Sequence, residues 1–448
     1  MSNKEKALSV FAVFSLSIIF GGFFLYRYNF IEIEKLVEKQ ASPILKSADH
    51  VATTTATTTA EKNSAPASTS EVALVQPQIT EEEKDAKEAA LKRADGAKGV
   101  YINGYAAAAK TSAIRENIKN LLSETELNAV VIDVKESDGP YMPASMKKFI
   151  EELHKDNIWV IARICAFRDS SLMKENPGWY LKINYSSSTL LSTSSAEGAD
   201  LATTSEFWND SGGGYWLDPA NPEVQDYIIE FSKKAIDFGF DELQFDYVRF
   251  PSDGEIKAIV YPFYSGEKNK FEVMKDFFSK LSDSLRLYNY PTVLSVDLFG
   301  YIATQYQSGE IGQRVSDAAG IFDYISFMLY PSHFYGGFSV PQDTKRQLPA
   351  VYFPYEATDT ELVAVNHPYE VIFRSIIFVS DYLTKLKSQI KIRPWLQDFN
   401  LKPDTDRGIY YDAQKVKAQI QAAEDADSSG WLLWNSSNVY TKAALTPE

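Results

Sequence analysis

The chain has 448 residues, 45% hydrophobic and 13% aromatic, enough apolar bulk for one large domain or two ordinary ones. A net charge of −15 argues against a nucleic-acid partner, because phosphate binding needs a clustered excess of Lys and Arg. The single cysteine, Cys165, excludes an intrachain disulfide and any cysteine-based metal cluster; the four histidines lack zinc-helix spacing, so no metal or cofactor is expected.

Residues 7–26, ALSVFAVFSLSIIFGGFFLY, form twenty residues without a charge. At 1.5 Å per residue such a run matches a hydrocarbon core of roughly 30 Å and predicts a membrane span. Lys4 and Lys6 precede it, which orients the N-terminus to the cytoplasm and whatever follows to the outside. A cleaved signal peptide is the rival reading, but Arg27, Tyr28, Asn29 and Phe30 stand where a small-residue cleavage site would be expected. The Ser/Thr/Ala tract at 51–70 has too little apolar bulk to repay the entropy of ordering and predicts a flexible stalk. A short charged helix follows over 79–99. The expected organisation is therefore an anchor (1–30), a linker ending in that helix (31–96), and a folded domain (97–448).

From residue 99 eight strand-like runs alternate with helix-like ones: 99–105, 129–136, 159–167, 242–250, 292–300, 324–332, 391–399 and 430–437. Helices are expected between most of them, at 112–123, 143–156, 222–238, 271–287 and 413–426. Eight β-then-α repeats over about 350 residues predict a (β/α)₈ barrel. A doubly wound open sheet lacks support, since no Gly-rich phosphate loop follows the first strand. A polar Ser/Thr-rich insertion at 184–214 should lie on the rim after the third strand.

Polar residues inside these apolar runs need a partner or a task, because an ionised group taken out of water costs several kcal/mol. In the fourth run, strand alternation sends Phe245 and Tyr247 outward to the helices and Gln244 and Asp246 toward the barrel axis. Asp246 then sits near the C-terminal end of its strand, where barrel enzymes build their sites. Arg249 is placed to hold Asp246 ionised. The same alternation puts Asp133 and Lys135 on one face of the second strand, Arg163 on the third and Asp297 on the fifth. Tyr330 and His333 follow the sixth, Trp395, Gln397 and Asp398 belong to the seventh, and Trp434 to the eighth. Asp218 reads as a turn residue entering the helix at 222, with Asn221 as its N-cap and Pro222 in its first turn. Carboxylates, a cation and flat rings at one mouth suit glycoside hydrolysis, which needs one carboxylate as nucleophile or base, a protonated one as acid, and rings to stack on sugars.

The segments VVIDVKESDG, WVIARICAFRD, WLDPANPEVQDY, FDYVRFPSDG, MLYPSHF, RPWLQDF and GWLLWN resemble a bacterial family of glycoside hydrolase-like barrel domains, over residues 98–440. The resemblance implies a catalytic Asp246 at the end of strand four and an acid/base role for Asp297. It names a class of chemistry without a substrate.

The expected protein is a membrane-anchored extracytoplasmic glycoside hydrolase acting on a polysaccharide or oligosaccharide. Asp246 is its nucleophile and Asp297 its acid/base, with Asp398 the competitor for that second role. Asp133, Lys135, Arg163, Arg249, Tyr330, His333, Trp395, Gln397, Asp398 and Trp434 surround the sugar. Carboxyls about 5–5.5 Å apart would mean retention of configuration and about 6.5–9.5 Å inversion. The alternative is a sugar-binding or envelope-scaffolding barrel without chemistry, favoured if arginines tie up Asp246 and no second carboxylate faces it. A Schiff-base enzyme using Lys135 is a third reading, weakened by the expected Asp133–Lys135 pair.

Overall fold

The computed structural model describes residues 79–184 and 206–447. The expected span at 7–26, the stalk at 51–70 and most of the insertion at 184–214 lie outside the described residues. Among the described residues no helix is long and apolar enough to cross a membrane.

Eight parallel strands close into a barrel. They are β1 (Ala97–Ile102), β2 (Ala129–Glu136), β3 (Trp159–Cys165), β4 (Glu242–Asp246), β5 (Val293–Phe299), β6 (Tyr324–Leu329), β7 (Lys391–Ile392 and Trp395–Gln397) and β8 (Gly430–Trp434). Each strand pairs with the next in sequence, and β8 pairs back to β1 with Ala97 opposite Gly430. The interruption of β7 falls at Pro394, which has no N–H to donate to a ladder. Gly430 makes the closure possible: it has φ +84°, and a Cβ there would stand 2.0 Å from the Ala97 carbonyl oxygen. The expected (β/α)₈ barrel is the observed fold.

Long amphipathic helices cover the outside: α2 (Ala113–Glu124), α3 (Ala144–Lys155), α4 (Pro222–Phe238), α5 (Lys270–Tyr288), α6 (Pro368–Lys385) and α7 (Ala413–Asp425). Their ends follow local chemistry. Asn221 caps α4 by accepting from Glu223 N, with Pro222 in the first turn and Gly239 in the left-handed region at the end. Asn269 and Glu272 form a capping box at α5.

The charged helix α1 (Glu81–Ala94) has little apolar face: Ala90, Leu91 and Ala94 pack on the core, and polar contacts supply the rest of its docking. The buried Lys87 ammonium donates to the Thr292 carbonyl at 2.7 Å and pairs with Asp323 at 2.7 Å, while the Ala94 carbonyl accepts from Arg393. Thr292, Asp323 and Arg393 lie at or beside the starts of β5, β6 and β7, so α1 caps the N-terminal end of the barrel. Inside that end, Glu242 accepts from Arg393 (2.5 Å), Ser295 (2.5 Å) and the Trp159 indole (2.9 Å), all fully or nearly fully buried. An ion pair this deep is tolerated because every oxygen of the carboxylate is occupied; removing one partner would cost about 3–5 kcal/mol.

Candidate active site

Inward-facing positions alternate along every strand, and the top of the barrel interior is polar. Its hub is Arg163, whose guanidinium bonds Asp133 Oδ1 at 2.6 Å, Glu136 Oε1 at 2.5 Å and Asp246 Oδ2 at 2.6 Å. Asp133 also accepts from the Tyr101 hydroxyl. One guanidinium cannot neutralise three carboxylates in a dry site, and the most enclosed of them keeps its proton: burial pushes Asp133 up to about 8 against the pull of Arg163.

Asp246 holds the expected place at the C-terminal end of β4 and opens onto a cavity of about 520 Å³ at the barrel mouth. Its Oδ2 takes Arg163, and its Oδ1 accepts Tyr247 N at 2.6 Å. That second bond exists because the strand stops there. Tyr247 adopts φ +53°, a left-handed conformation that costs a non-glycine residue about 1 kcal/mol or more. The turn corrects two expectations. β4 ends at residue 246 and not 250, and the Tyr247 ring does not face the helices but lines the cavity.

Asp297 faces inward from β5 as expected but is fully buried, one layer beneath the cavity. The Trp395 indole N–H donates to its Oδ1 at 3.0 Å. Its Oδ2 has no hydrogen-bond partner and stands 4.0 Å from Arg163 Nε. Burial first, and the nearby Asp246 charge second, hold this carboxyl protonated well above the ordinary carboxylate range.

Lys135 is not where alternation put it. A bulge in β2 breaks the register against β3, so that Asp133 stands opposite Arg163 but Lys135 stands opposite Ile164. The extra residue turns Lys135 away from the mouth and brings Glu136 in. Lys135 is fully buried and pairs with Asp169 at 2.8 Å, not with Asp133, and also donates to the Cys165 carbonyl at 2.6 Å. It belongs to neither a sugar site nor a Schiff-base site in this geometry.

Gln397 and Asp398 also depart from expectation. The Gln397 amide is spent on Ser332 N, Ser332 Oγ and the Phe399 carbonyl, tying β7 to the loop after β6. Both Asp398 oxygens are taken by Thr441, through its N–H and its hydroxyl. Neither side chain lines the cavity.

Tyr330, His333, Trp395 and Trp434 do line it. Trp434 packs on Tyr101 at 4.1 Å and beneath the Arg163 guanidinium at 5.0 Å, so its ring serves both packing and the cavity wall. His333 lies among Tyr330, Tyr335 and Phe399; burial lowers its pKa to about 4, leaving a neutral imidazole at neutral pH. Arg249 lines the cavity too, but it does not pair with Asp246; Arg163 performs that task. Asp218 accepts Ala220 N as a turn residue, and also Phe263 N and Tyr264 N, which fastens the loop after β4.

Several residues that come together here were not expected, among them Glu136, Tyr247 and Asp253. Glu136 enters through the bulge, which no local pattern announces. Tyr247 enters through a positive φ at a bulky residue. Asp253, in the turn-like PSDG, is exposed on the cavity rim, where it accepts from Ser211 N at 2.9 Å and from Ser252 Oγ at 3.2 Å. Among the described residues, no group of three or more His, Cys, Asp or Glu side chains is arranged to hold a metal ion.

Solved structures similar to this chain include a hypothetical protein from Ruminiclostridium thermocellum (28% identity over 44% of this chain and 96% of that one, TM-score 0.35). The glycoside hydrolase domain of PgaB from Bordetella bronchiseptica matches at 12% identity over 77% and 94% of the two chains, TM-score 0.47. The spore cortex-lytic enzyme SleL of Bacillus cereus matches at 10% identity over 78% and 73%, TM-score 0.43. No curated protein matches the chain. The family described as "Putative glycosyl hydrolase domain" matches residues 99–440, from within β1 to past β8, and the chain belongs to that family.

Proposed function

We propose that the protein hydrolyses glycosidic bonds of a polysaccharide or oligosaccharide in the barrel mouth, with Asp246 as the carboxylate that meets the anomeric carbon. The observation that carries this reading is the position of Asp246. It is a carboxylate at the end of β4, clamped by Arg163 on one oxygen and a backbone N–H on the other, on the wall of a cavity lined with aromatic rings. Two fixed donors hold the orientation of the carboxylate toward the cavity, as a nucleophile or base requires. Asp253 reaches the same cavity from the rim and is the acid/base candidate in place of Asp297 or Asp398. Asp297 acts through Asp246 as a positioning residue: a carboxyl held neutral beside it adds no second charge to repel the first. Leaving-group protonation by a positioned carboxyl contributes typically about 10²–10⁴-fold. The charge-free run at 7–26 and the Ser/Thr tract supply an anchor and tether that would hold the barrel outside the cytoplasm, within reach of envelope polysaccharide.

One observation favours a second reading, a sugar-binding barrel. Arg163 ties up Asp246, and Asp297, which shares the Arg163 neighbourhood, does not open to the cavity. The full chain, Asp246→Asn and Asp253→Asn should be compared for reducing-end release across a panel of polysaccharides and aryl glycosides. Release by the wild type that Asp246→Asn abolishes supports the hydrolase. Polysaccharide binding by all three proteins with release by none supports the binder.

A further inference from the structure

Arg249 is the one cation on the cavity wall, among the described residues, without a carboxylate bonded to it. Its relative exposure is 6%, and its guanidinium is held by rings: Phe299 at 4.4 Å, Trp216 at 4.8 Å and Tyr247 at 5.1 Å from the ring centres. Nη1 is occupied, donating to the Phe250 carbonyl at 3.1 Å and to Ser252 Oγ at 3.2 Å. Nε and Nη2 meet no acceptor among the described residues, yet neither is sealed from solvent. They form the remaining edge of the planar fork, on a side chain that lines the cavity beside Asp246. The nearest rim carboxylate, Asp253, is one hydroxyl removed, since Ser252 Oγ lies between the two side chains.

A buried cation with no carboxylate bonded to it is costly, and three rings, two neutral acceptors and the unbonded Asp246 and Asp253 offset only part of the desolvation. A two-donor guanidinium edge matches an oxyanion in two parallel hydrogen bonds, a geometry that a neutral hydroxyl cannot reproduce.

We propose that the substrate is an anionic glycan, and that the Nε–Nη2 edge of Arg249 binds an oxyanion substituent, a uronate carboxylate or a sugar phosphate, on the residue seated beside Asp246. This deepens the hydrolase reading and rests on it for the identity of the cavity as a sugar site.

The test is competitive binding to the full chain, by calorimetry at fixed ionic strength, of methyl glucoside, methyl glucuronoside and glucose 6-phosphate. At least one anionic ligand should bind the wild type tenfold or more tightly than the neutral one, and the better of the two identifies the oxyanion as carboxylate or phosphate. Arg249→Gln should bring the anionic and neutral affinities together, and Arg249→Lys, which keeps the charge without the fork, should recover only part of the preference. Equal affinities in the wild type, or no binding of either anionic ligand, would overturn the proposal without recourse to any variant. So would a preference that survives Arg249→Gln. Failure of the two readings is separable: anion-selective binding without hydrolysis sinks the hydrolase, whereas hydrolysis of neutral glycans with no anionic preference sinks only this inference.

Discussion

Replacing Lys135 with methionine distinguishes a buried strut from a functional amine. The wild-type ammonium pairs with Asp169 at 2.8 Å and donates to the Cys165 carbonyl at 2.6 Å, with both charged side chains wholly enclosed. Lys135→Met fills similar volume but leaves the Asp169 carboxylate without its counter-charge. Breaking one side of a buried pair costs about 3–5 kcal/mol. Asp169 would keep Ser171 N at 2.7 Å, Ser171 Oγ at 2.6 Å and the Tyr227 hydroxyl at 3.3 Å, so the lower end of that range, about 3 kcal/mol, is expected. Urea unfolding should show the midpoint falling with an unchanged slope. Adding Asp169→Asn should return part of the loss, because the two sites share one interaction and couple by about 0.5–3 kcal/mol. Below its melting temperature the single variant should still hydrolyse substrate. A Lys135→Met protein within about 1 kcal/mol of wild type that had lost all activity would return Lys135 to the site.

Asp297→Asn replaces a carboxyl already held neutral by an isostere that still accepts from Trp395. It should lower kcat/KM less than about tenfold, against on the order of 10³-fold or more for Asp246→Asn on the same substrate; equal losses would place Asp297 in the reaction. Asp133, raised to about 8 from an ordinary 3.8, binds a proton in the folded chain that the unfolded chain has released. The contribution of Asp133 to stability should therefore fall as pH rises from about 4 to about 8, by up to about 1.4 kcal/mol per unit, and the difference between wild type and Asp133→Asn in a series of melting curves should show that slope. His333 has the opposite slope. Lowered to about 4 from 6.5, it stays neutral when folded while the unfolded chain takes up a proton, so stability is lost as pH falls through that window. His333→Phe should remove this acid-side loss, and an unchanged profile would contradict the buried neutral imidazole.

The barrel was legible because its strands are apolar runs at regular spacing, and because helix starts such as Asn221-Pro222 carry their own capping chemistry. The inward alternation of Gln244 and Asp246, and of Asp297, could likewise be read from a period of two. What could not be read were breaks in that period. One bulged residue in β2 reversed Lys135 and Glu136, and one left-handed residue, Tyr247, ended β4 early and swung an aromatic ring into the cavity. Both depend on tertiary contacts that no short window contains. Gln397 and Asp398 show a second limit: a polar residue at a strand end is as well suited to fastening its own loops as to meeting a ligand, and only the positions of Ser332 and Thr441 decide which. The ion pair between Asp246 and an arginine was expected with Arg249 or Arg163, and it is Arg163 that makes it.

Everything proposed for the barrel mouth turns on chemistry at Asp246. The most direct measurement is a crystal structure of Asp246→Asn with an oligosaccharide bound. A sugar ring should lie in the cavity between Trp434 and His333, with its anomeric carbon about 3–3.5 Å from the side-chain oxygen of residue 246. An oligosaccharide bound away from the barrel mouth, or an anomeric carbon addressed by a different carboxyl with residue 246 out of reach, would contradict it.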